Sequence, residues 1–270
     1  MNDGLPRVLC ACLFLALGAA CASSREPLPS AVPQDGAGAP SGLETVGQSE
    51  YVLSDDVSVR RLAPGVWVHT TLGSEAYGRY PANGLVIEDG EEALLVDAGW
   101  NPQQAERLLT WAREELRRPV RAAVVTHFHN DRTGGAKALT ERGLPVYGLE
   151  ETARLATTRG ELAPSHTFAQ VQQLGPIELF FPGAGHSQDN IVVWHRGSGV
   201  LFGGCFVKDA AAKNLGNVAD ADTSAWPASL ERTRARFSQV RIVVPGHGLP
   251  GGRELLVHTQ ELLRAPAAPR

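Results

Sequence analysis

The sequence predicts an α/β fold, because short apolar runs that suit buried strands alternate with longer stretches that have helical periodicity. The alternation is clearest in the first half of the chain, where strands at 93–96, 122–125 and 145–149 are separated by helices at 102–116 and 133–141. Of the 270 residues, 43% are hydrophobic, which is enough apolar side chain for a full core. We therefore expect one large α/β domain.

The second half of the chain repeats this alternation more coarsely. Strands are predicted at 177–181, 191–194, 200–203 and 242–244, and helices at 226–237 and 252–264. Two sheets with helices against them would accommodate both halves. The 29 acidic and 25 basic side chains give a net charge of −4, so the chain lacks the basic surface that binds nucleic acid.

Residues 1–21 have the pattern of an export signal. A short polar segment with one arginine precedes the apolar run 8–20, which is too short to span a bilayer comfortably. The four residues before Cys21 are Leu-Gly-Ala-Ala. They approximate a lipoprotein cleavage box, except that glycine stands three residues before the cysteine, where leucine is usual. Two outcomes stay open: a lipid anchor at Cys21, or ordinary cleavage near Ala20 or Ala22. Both place the protein in the periplasm, and the first anchors it to the outer membrane.

A linker is predicted between the export signal and the domain. Residues 22–50 are rich in alanine, serine, proline and glycine and have no apolar period, so we expect them to be flexible. Such a linker would let a lipid-anchored protein stand away from a membrane. Residues 51–270 then form the predicted domain.

The most informative motif is the run 126–132, Thr-His-Phe-His-Asn-Asp-Arg, which follows the apolar strand 122–125. His127 and His129 are two residues apart at a strand end, where alternate side chains share a face, whereas on a helix they would diverge by about 200°. A pair of this kind can chelate one ion. With Asp131 the loop carries three metal-capable donors, and we interpret it as part of a metal site.

Three further donors stand in glycine-rich turns after predicted strands: His186, Cys205 and His247. The other cysteines all fall within the export signal, so the exported chain would have no disulfide partner for Cys205, and we interpret it as a metal ligand. Three imidazoles suit one zinc ion, and an Asp-Cys-His set suits a second. The other histidines have no partner donor nearby in sequence and are expected to be structural: His69, His166, His195 and His258.

These motifs resemble those of the metallo-β-lactamases of subclass B1, most closely the Verona integron-encoded type. The resemblance runs from about Val59 to the C-terminal helix. Five motifs carry it: His-Phe-His-Asn-Asp-Arg at 127–132, Pro-Gly-Ala-Gly-His-Ser at 182–187, Gly-Gly-Cys at 203–205, Leu-Gly-Asn-Val-Ala-Asp-Ala-Asp at 215–222 and Val-Pro-Gly-His-Gly at 244–248. It implies that residues 51–270 form an αββα sandwich, two mixed β-sheets flanked by helices.

The resemblance also implies two Zn²⁺ ions. The implied ligands are His127, His129 and His186 for the first ion, and Asp131, Cys205 and His247 for the second. The implied activity is hydrolysis of the β-lactam ring amide of penicillins, cephalosporins and carbapenems, which confers antibiotic resistance. The nucleophile would be a zinc-bound hydroxide, oriented by Asp131, because zinc makes hydroxide available at neutral pH.

Substrate-binding residues follow from the same resemblance. Lys208 would bind the carboxylate that these antibiotics carry, and Asn217 would support the carbonyl oxygen during catalysis. Trp100 would form a wall of the site, although plain core packing is an equal alternative for this residue.

A loop at 70–81 is predicted between strands 66–69 and 84–88, and the resemblance makes it a flap over the substrate. Asp97 follows the apolar strand that ends at Val96, and Ser187 follows a candidate ligand. Metal-bound imidazoles usually donate their free N–H to an outer group, so we expect Asp97, and similarly Ser187, to be such partners.

Two features set the limits of the resemblance. Arg132 separates this chain from the wider superfamily of thioesterases, lactonases and phosphodiesterases, which typically place a metal-binding histidine directly after the aspartate. Lys208 departs from the Verona type, whose relatives often lack a lysine there.

The alternatives to a β-lactamase are another hydrolase of the same fold, such as a lactonase or thioesterase, and a non-catalytic zinc-binding protein. The expected ligand is a small β-lactam. The possible lipid anchor at Cys21 would attach the chain to the outer membrane, and we expect the chain to be a monomer.

Overall fold

Two β-sheets form the centre of the protein in a computed structural model that describes residues 50–265. The first sheet has eight strands in chain order: β1 (Glu50–Ser54), β2 (Val57–Ala63), β3 (Val66–Leu72), β4 (Pro81–Asp89), β5 (Glu92–Val96), β6 (Val120–Val124), β7 (Val146–Leu149) and β8 (His166–Phe168). Strands β1 to β5 pair antiparallel, and β5 to β8 pair in parallel.

The second sheet has the strand order β13-β12-β11-β10-β9. Its strands are β9 (Val171–Leu174), β10 (Ile177–Phe180), β11 (Val192–His195), β12 (Val200–Gly204) and β13 (Ile242–Pro245). Neighbouring strands are antiparallel except β12 and β13, which are parallel. Both sheets are therefore mixed, as the sequence predicts.

Helices cover the outer faces of the two sheets. They are α1 (Pro102–Glu114), α2 (Asn130–Thr133), α3 (Ala136–Glu141), α4 (Glu150–Thr158), α5 (Trp226–Arg236) and α6 (Glu254–Arg264). Helices α1 and α3 contribute to a core with the first sheet, and α5 and α6 contribute to a core with the second. The predicted α/β class and αββα sandwich are confirmed.

Strand β5 shows how the layers are filled. Ala93 and Leu95 belong to the core that includes α1, whereas Leu94 and Val96 belong to the core between the two sheets. Successive side chains of a strand point to opposite faces, so a strand buried on both faces is apolar throughout. The run Ala-Leu-Leu-Val meets this requirement.

Two close approaches delay the start of the helix that is predicted at 133–141. A side chain at Gly134 would collide with the carbonyl oxygen of Trp100, and one at Gly135 would collide with that of Ala98. The glycines allow the backbones to pack together, and the chain forms the two short helices α2 and α3 on either side of them. The predicted helix is therefore confirmed as α3 over Ala136–Glu141, and only its start at residue 133 is wrong.

Several predicted boundaries also change. The loop predicted at 70–81 is shorter, because β3 extends to Leu72 and β4 begins at Pro81. Glu50, predicted as linker, is the first residue of β1. Helix α4 and strands β1, β2, β8 and β9 have no counterpart in the sequence prediction. The export signal, the anchor at Cys21 and the rest of the linker lie outside the described residues.

Between residues 50 and 265, no helix combines the length and apolar character needed to cross a bilayer.

Candidate metal centre

The six predicted donors come together from loops that follow strands of both sheets. The loop after β6 carries two histidines and leads into α2, which carries the aspartate; the other three donors follow β10, β12 and β13. They are His127, His129, Asp131, His186, Cys205 and His247. Within each of three overlapping groups of these residues, the donor atoms lie within 4.8 Å of one another. The predicted cluster therefore forms.

Three imidazoles form one part of this cluster. Nδ1 of His129 lies 3.0 Å from Nε2 of His127 and 3.1 Å from Nε2 of His186. The ring centroids are 4.7 to 5.0 Å apart, with planes nearly perpendicular. Ring nitrogens from three different rings thus face one another at distances that one cation could bridge.

A carboxylate, a thiol and an imidazole form the other part. Sγ of Cys205 lies 3.4 Å from Oδ2 of Asp131 and 3.2 Å from Nε2 of His247. The remaining side of the triangle, from Nε2 of His247 to Oδ2 of Asp131, is 3.2 Å. All three residues are mostly shielded from solvent, since the imidazole is 20% exposed and the carboxylate 8%.

The Asp-Cys-His triangle fits a tetrahedral zinc ion, and so do the two separations from Nδ1 of His129 to the other imidazoles. Ligands at about 2.0 to 2.3 Å from zinc lie about 3.3 to 3.6 Å from one another. The observed separations, 3.0 to 3.4 Å, are close to these values. Nitrogen and sulfur donors favour zinc over magnesium and calcium, which prefer oxygen. His127 also groups with His186 and Cys205, so the two triangles adjoin.

Electrostatics keep three of the donors, His127, His186 and Asp131, in their metal-binding forms. Burial, followed by the effect of neighbouring cationic groups, lowers the pKa of His127 and of His186 well below the ordinary histidine value. Both imidazoles are therefore neutral at neutral pH, as a ligand must be. Burial acts to raise the pKa of Asp131, but the charge of Arg132, the hydrogen bond from His247 and the charges of His127 and His247 together lower it well below its usual range, so Asp131 is ionised.

His247 is oriented by the start of β4. Its Nδ1–H donates to the carbonyl oxygen of Pro81 at 2.6 Å, which leaves Nε2 facing the carboxylate and thiol. The ring of Tyr80 packs against it with centroids 4.7 Å apart. Burial acts to lower the pKa of His247, but the Cys205 sulfur and Asp131 raise it to about 9. A cation that binds there displaces a proton.

Arg132 lies beneath the Asp-Cys-His triangle and is fully buried. Its Nη2 lies 3.0 Å from Sγ of Cys205 and 2.9 Å from Oδ2 of Asp131, and it also donates to the carbonyl oxygen of Gly246 at 3.0 Å. Its Nη1 donates to the carbonyl oxygen of Asn83. The guanidinium thus connects two donors of the cluster to the ends of strands β4 and β13.

Asp97 does not accept a hydrogen bond from an imidazole of the cluster, so that expectation is wrong. Its Oδ1 accepts from the backbone N–H of Thr126 at 2.8 Å, and its Oδ2 accepts from the Thr126 hydroxyl at 2.9 Å and from Arg132 at 3.3 Å. Burial raises the pKa of Asp97 to about 7, against the opposing charge of Arg132. Asp97 therefore fixes the start of the histidine loop and the buried arginine.

Ser187 also differs from expectation. Its backbone N–H donates to Oδ1 of Asn190 at 3.1 Å, and among the described residues its buried hydroxyl makes no hydrogen bond to an imidazole. The neighbouring carboxylate of Asp189 instead supports the site. Its Oδ2 accepts from the backbone N–H of Phe128 at 2.9 Å and from the hydroxyl of Thr152 at 2.8 Å, which ties the histidine loop to α4.

Sequence reasoning missed the carboxylate that orients His129. Oδ2 of Asp220 lies 3.0 Å from Nε2 of His129. A carboxylate at this nitrogen places the ring proton on Nε2 and leaves the lone pair on Nδ1, the atom that faces the other two imidazoles. Asp220 lies in the motif 215–222, and that motif is the only sequence signal that could have indicated it.

Lys208 lies beside the cluster, as predicted. It lines a cavity of about 300 Å³ together with Tyr80, Lys213 and His247. Its Nζ lies 5.5 Å from the ring centroid of Trp226, and burial lowers the pKa of its ammonium group. The cavity therefore offers a cation next to the donor cluster.

The other two predicted substrate-binding residues are Asn217 and Trp100. Asn217 is exposed, and its Oδ1 accepts from the backbone N–H of Ala219 at 3.0 Å, within its own loop. Trp100 is partly buried, and its backbone connects α1 with the histidine loop. Its N–H donates to Oε1 of Gln104 at 2.8 Å, and its carbonyl oxygen accepts from Nδ2 of Asn130 at 3.2 Å.

Comparisons with known proteins agree with this arrangement. The profile of the metallo-beta-lactamase superfamily matches residues 77–247. A Bacteroides fragilis protein named metallo-beta-lactamase type 2 is 36% identical over 226 residues, which cover 82% of this chain and 91% of that protein. A Bacillus cereus protein of the same name is 40% identical over 212 residues, which cover 77% of this chain and 83% of that protein.

Solved structures show the same relationship. A metallo-beta-lactamase from Pseudomonas aeruginosa, in its mono-zinc form, has a TM-score of 0.75 and 34% identity, covering 79% of this chain and 98% of that one. A metallo-beta-lactamase from Pontibacter korlensis has a TM-score of 0.74 and 41% identity, covering 78% of this chain and all of that one. This chain therefore belongs to the metallo-beta-lactamase superfamily, a family of metal-dependent proteins.

Proposed function

We propose that this protein hydrolyses the ring amide of β-lactam antibiotics with two zinc ions, as a metallo-β-lactamase of subclass B1. The observation that carries this proposal is the Asp131–Cys205–His247 triangle next to three converging imidazoles. Relatives named metallo-beta-lactamase type 2 at 34 to 41% identity support the same activity. The motifs that resemble the Verona type lead us to place the chain near that group.

Each triangle would hold one ion. The three imidazoles of His127, His129 and His186 would bind the first, and the Asp-Cys-His triangle would bind the second. When bound, the ions would supply a hydroxide at neutral pH and stabilise negative charge on the reacting amide. The protein's part is to keep His127 and His186 neutral and Asp131 ionised, and to hold the geometry of the donors.

The residues around the cluster would bind and orient the substrate. Asp131 would orient the attacking oxygen, since its pKa is held low and its carboxylate is buried. Lys208 would pair with the substrate carboxylate in the cavity beside His247. Asn217 would support the carbonyl oxygen after its loop turns inward, and Trp100 would bound the opposite side of the site.

The same proposal includes export to the periplasm. The N-terminal signal would be removed, with either a lipid anchor at Cys21 or release as a soluble chain. We propose that the protein acts as a monomer. The substrates would be penicillins, cephalosporins and carbapenems, and hydrolysis of these drugs would confer resistance.

The test measures hydrolysis of a penicillin, a cephalosporin and a carbapenem by the purified protein, with zinc content determined before and after chelation. We expect turnover that disappears with the chelator and returns with zinc. His127→Ala should abolish turnover, whereas His166→Ala, which changes a surface imidazole stacked on Tyr147, should retain it. Bound zinc with all three drugs intact would contradict the proposal and would favour a lactonase or thioesterase.

A further inference from the structure

Arg159 caps the C-terminal end of α4 and reaches across to the loop between β12 and α5. Its backbone N–H donates to the last carbonyl oxygens of the helix, so its Cα position is fixed. Its Nη2 donates to Oδ1 of Asp220 at 2.7 Å. This side chain connects two segments that are separated by 61 residues.

The carboxylate of Asp220 is engaged at both oxygens. Oδ1 accepts from Arg159, and Oδ2 lies 3.0 Å from Nε2 of His129. With one oxygen held by a guanidinium, the carboxylate plane cannot rotate without breaking a charge-assisted hydrogen bond. Arg159 therefore restricts the orientation of the group that sets the tautomer of His129.

The ring of Phe128 holds the guanidinium in place. The Cζ atom of Arg159 lies 4.3 Å from the centroid of this ring, within the range of a cation–π contact. Phe128 is buried between the two histidines of the loop, and its own backbone N–H is bound by Asp189. The platform under Arg159 is thus part of the histidine loop itself.

The ion pair contributes little to the stability of the whole fold. The side chain of Arg159 is 47% exposed and that of Asp220 is 29% exposed, and pairs that remain in contact with water are weak. The contact is nonetheless well placed to affect metal binding. Outer partners of metal-bound imidazoles commonly change metal affinity when they are lost, because they orient the ring and raise its basicity.

We propose that Arg159 is a positioning residue for the three-imidazole site, and that it acts through Asp220 on His129. Without Arg159 the carboxylate of Asp220 turns toward solvent for part of the time, and Nδ1 of His129 points less consistently at the ion. This inference rests on the proposed zinc centre. It concerns metal affinity and coordination geometry, which can be measured without any substrate.

The test measures the affinity of the metal-free protein for Zn²⁺ by competition with a chelator of known affinity. A Cys205→Ala background removes the thiolate of the second triangle and isolates the three-imidazole site. Asp220→Ala is expected to weaken zinc binding by about 10- to 100-fold, as for other direct partners of metal-bound histidines. Arg159→Gln should weaken it by a smaller factor, about 3- to 10-fold, because it acts one step further away.

Two comparisons test whether Arg159 acts through Asp220. If Arg159 acts through Asp220, Arg159→Gln should change zinc affinity by less than about twofold in the Asp220→Ala background, since residues in one network are not additive. Arg154→Gln, on the same helix, removes an exposed pair with Glu151 and should leave zinc affinity unchanged. The visible absorption of the Co²⁺-loaded protein should shift in Arg159→Gln and remain as in the wild type in Arg154→Gln.

The outcomes separate the two proposals. Failure of the wild type to bind zinc would overturn the proposed metal centre itself. If Arg159→Gln bound zinc as tightly as the wild type, only the role of Arg159 would be overturned. The same would follow if Arg159→Gln lowered zinc affinity by the same factor with Asp220 present and in the Asp220→Ala background. The midpoint of urea unfolding of the metal-free Arg159→Gln protein should match the wild type, and a large decrease would indicate a structural role instead.

Discussion

Nη2 of Arg132 lies 3.0 Å from Sγ of Cys205. The same nitrogen is 2.9 Å from Oδ2 of Asp131, and the arginine side chain is wholly shielded from solvent. A buried charge without a partner is costly, so these groups stabilise one another as a unit even in the absence of a metal. The guanidinium also keeps the carboxylate ionised, which is the form that binds a cation.

We expect Arg132→Gln to lower the free energy of unfolding by about 3 to 5 kcal/mol, because it leaves Asp131 buried without its cation. The variant should also retain less zinc after dialysis, since the Asp-Cys-His triangle loses its support. Urea unfolding of the metal-free protein and metal analysis would measure the two effects.

Arg142→Gln is the matched control, because Arg142 forms an exposed pair with Glu106 and such pairs contribute little to stability. If Arg132→Gln and Arg142→Gln had the same stability, the buried guanidinium would not be needed for the fold.

Gly84 of β4 leaves room for the imidazole of His69, its paired neighbour in β3. A Cβ at this position would collide with the His69 ring and with the carbonyl oxygen of Val96. Burial lowers the pKa of His69 to about 4, and its neutral ring donates from Nε2 toward the carbonyl oxygens of Val96 and Asp97, at 3.2 and 3.0 Å. We expect Gly84→Ala to cost about 3 kcal/mol of stability through overpacking, measured by urea unfolding.

Gly197→Ala provides the comparison for Gly84→Ala. Its nearest neighbour would be Cε1 of His195 at 3.4 Å, an ordinary contact, so the stability should change by about 0.5 kcal/mol or less. A Gly84→Ala protein as stable as Gly197→Ala would show that the His69 ring and the Val96 backbone can move aside without cost.

The six donors could be predicted from the sequence because each depends on local signals. Two histidines with period-two spacing close an apolar strand, and the others occupy glycine-rich turns at strand ends. The partners of the donors could not be predicted in the same way. His129 meets Asp220 across 91 residues, and Arg132 meets Cys205 across 73, and no local pattern records which distant loops lie together.

The errors in the predicted fold have the same origin. Periodicity alone starts the helix at residue 133, but Gly134 lies against the backbone of Trp100, a contact that only the tertiary structure shows, and the helix begins at Ala136. Strand β8 has three residues, and two of them are exposed, so its sequence carries almost no burial pattern. The Asp97 carboxylate was expected to accept a hydrogen bond from a metal-binding imidazole, and it accepts one from the buried Arg132 instead.

Lys208 should affect substrate binding more than the chemical step. A hydrogen bond to a charged group contributes about 1.5 to 3 kcal/mol, so Lys208→Met should raise KM for a penicillin by about 10- to 100-fold. If the substrate carboxylate is held equally in the ground and transition states, kcat should change little. Steady-state kinetics at saturating zinc would measure both constants.

Lys213→Met tests whether any positive charge near the cavity would suffice. Lys213 lines the same cavity but is exposed, so we expect its KM to stay within about threefold of the wild type, as for a screened surface charge. Equal increases in KM for both variants would indicate general attraction of the anion and would contradict a specific pairing with Lys208.

Zinc should stabilise the folded protein in proportion to its free concentration. An ion that binds only the native state adds about 4 kcal/mol at a concentration 1,000-fold above its Kd, so Tm should rise steadily with added zinc. Magnesium should not raise Tm, because imidazole and thiolate donors suit zinc. Thermal unfolding of the chelated protein with each ion would show the difference, and equal responses to both would argue against the two nitrogen- and sulfur-containing sites.

Asp56 gives the protein a pH-dependent contact that involves none of the six donors. Its carboxylate accepts from the hydroxyl of Ser54 at 2.6 Å and from Nε2 of Gln104 at 2.9 Å, which joins the turn between β1 and β2 to α1. Partial burial acts to raise the pKa of Asp56, but these hydrogen bonds and the charge of Arg107 lower it by more.

A pKa that is lower in the folded state means that the ionised form favours folding. The contribution of Asp56 is therefore fully present above its unfolded pKa, about 4, and is lost as the pH falls through the lower folded value. We expect Asp56→Asn to be less stable than the wild type at pH 7, with a difference that shrinks below about pH 4. Urea unfolding of the metal-free proteins at pH 7, 5 and 3 would measure it. Asp55→Asn, at the exposed neighbouring position, should leave stability nearly unchanged, and an Asp56→Asn deficit of the same size at all three pH values would show that the ionised carboxylate is not its cause.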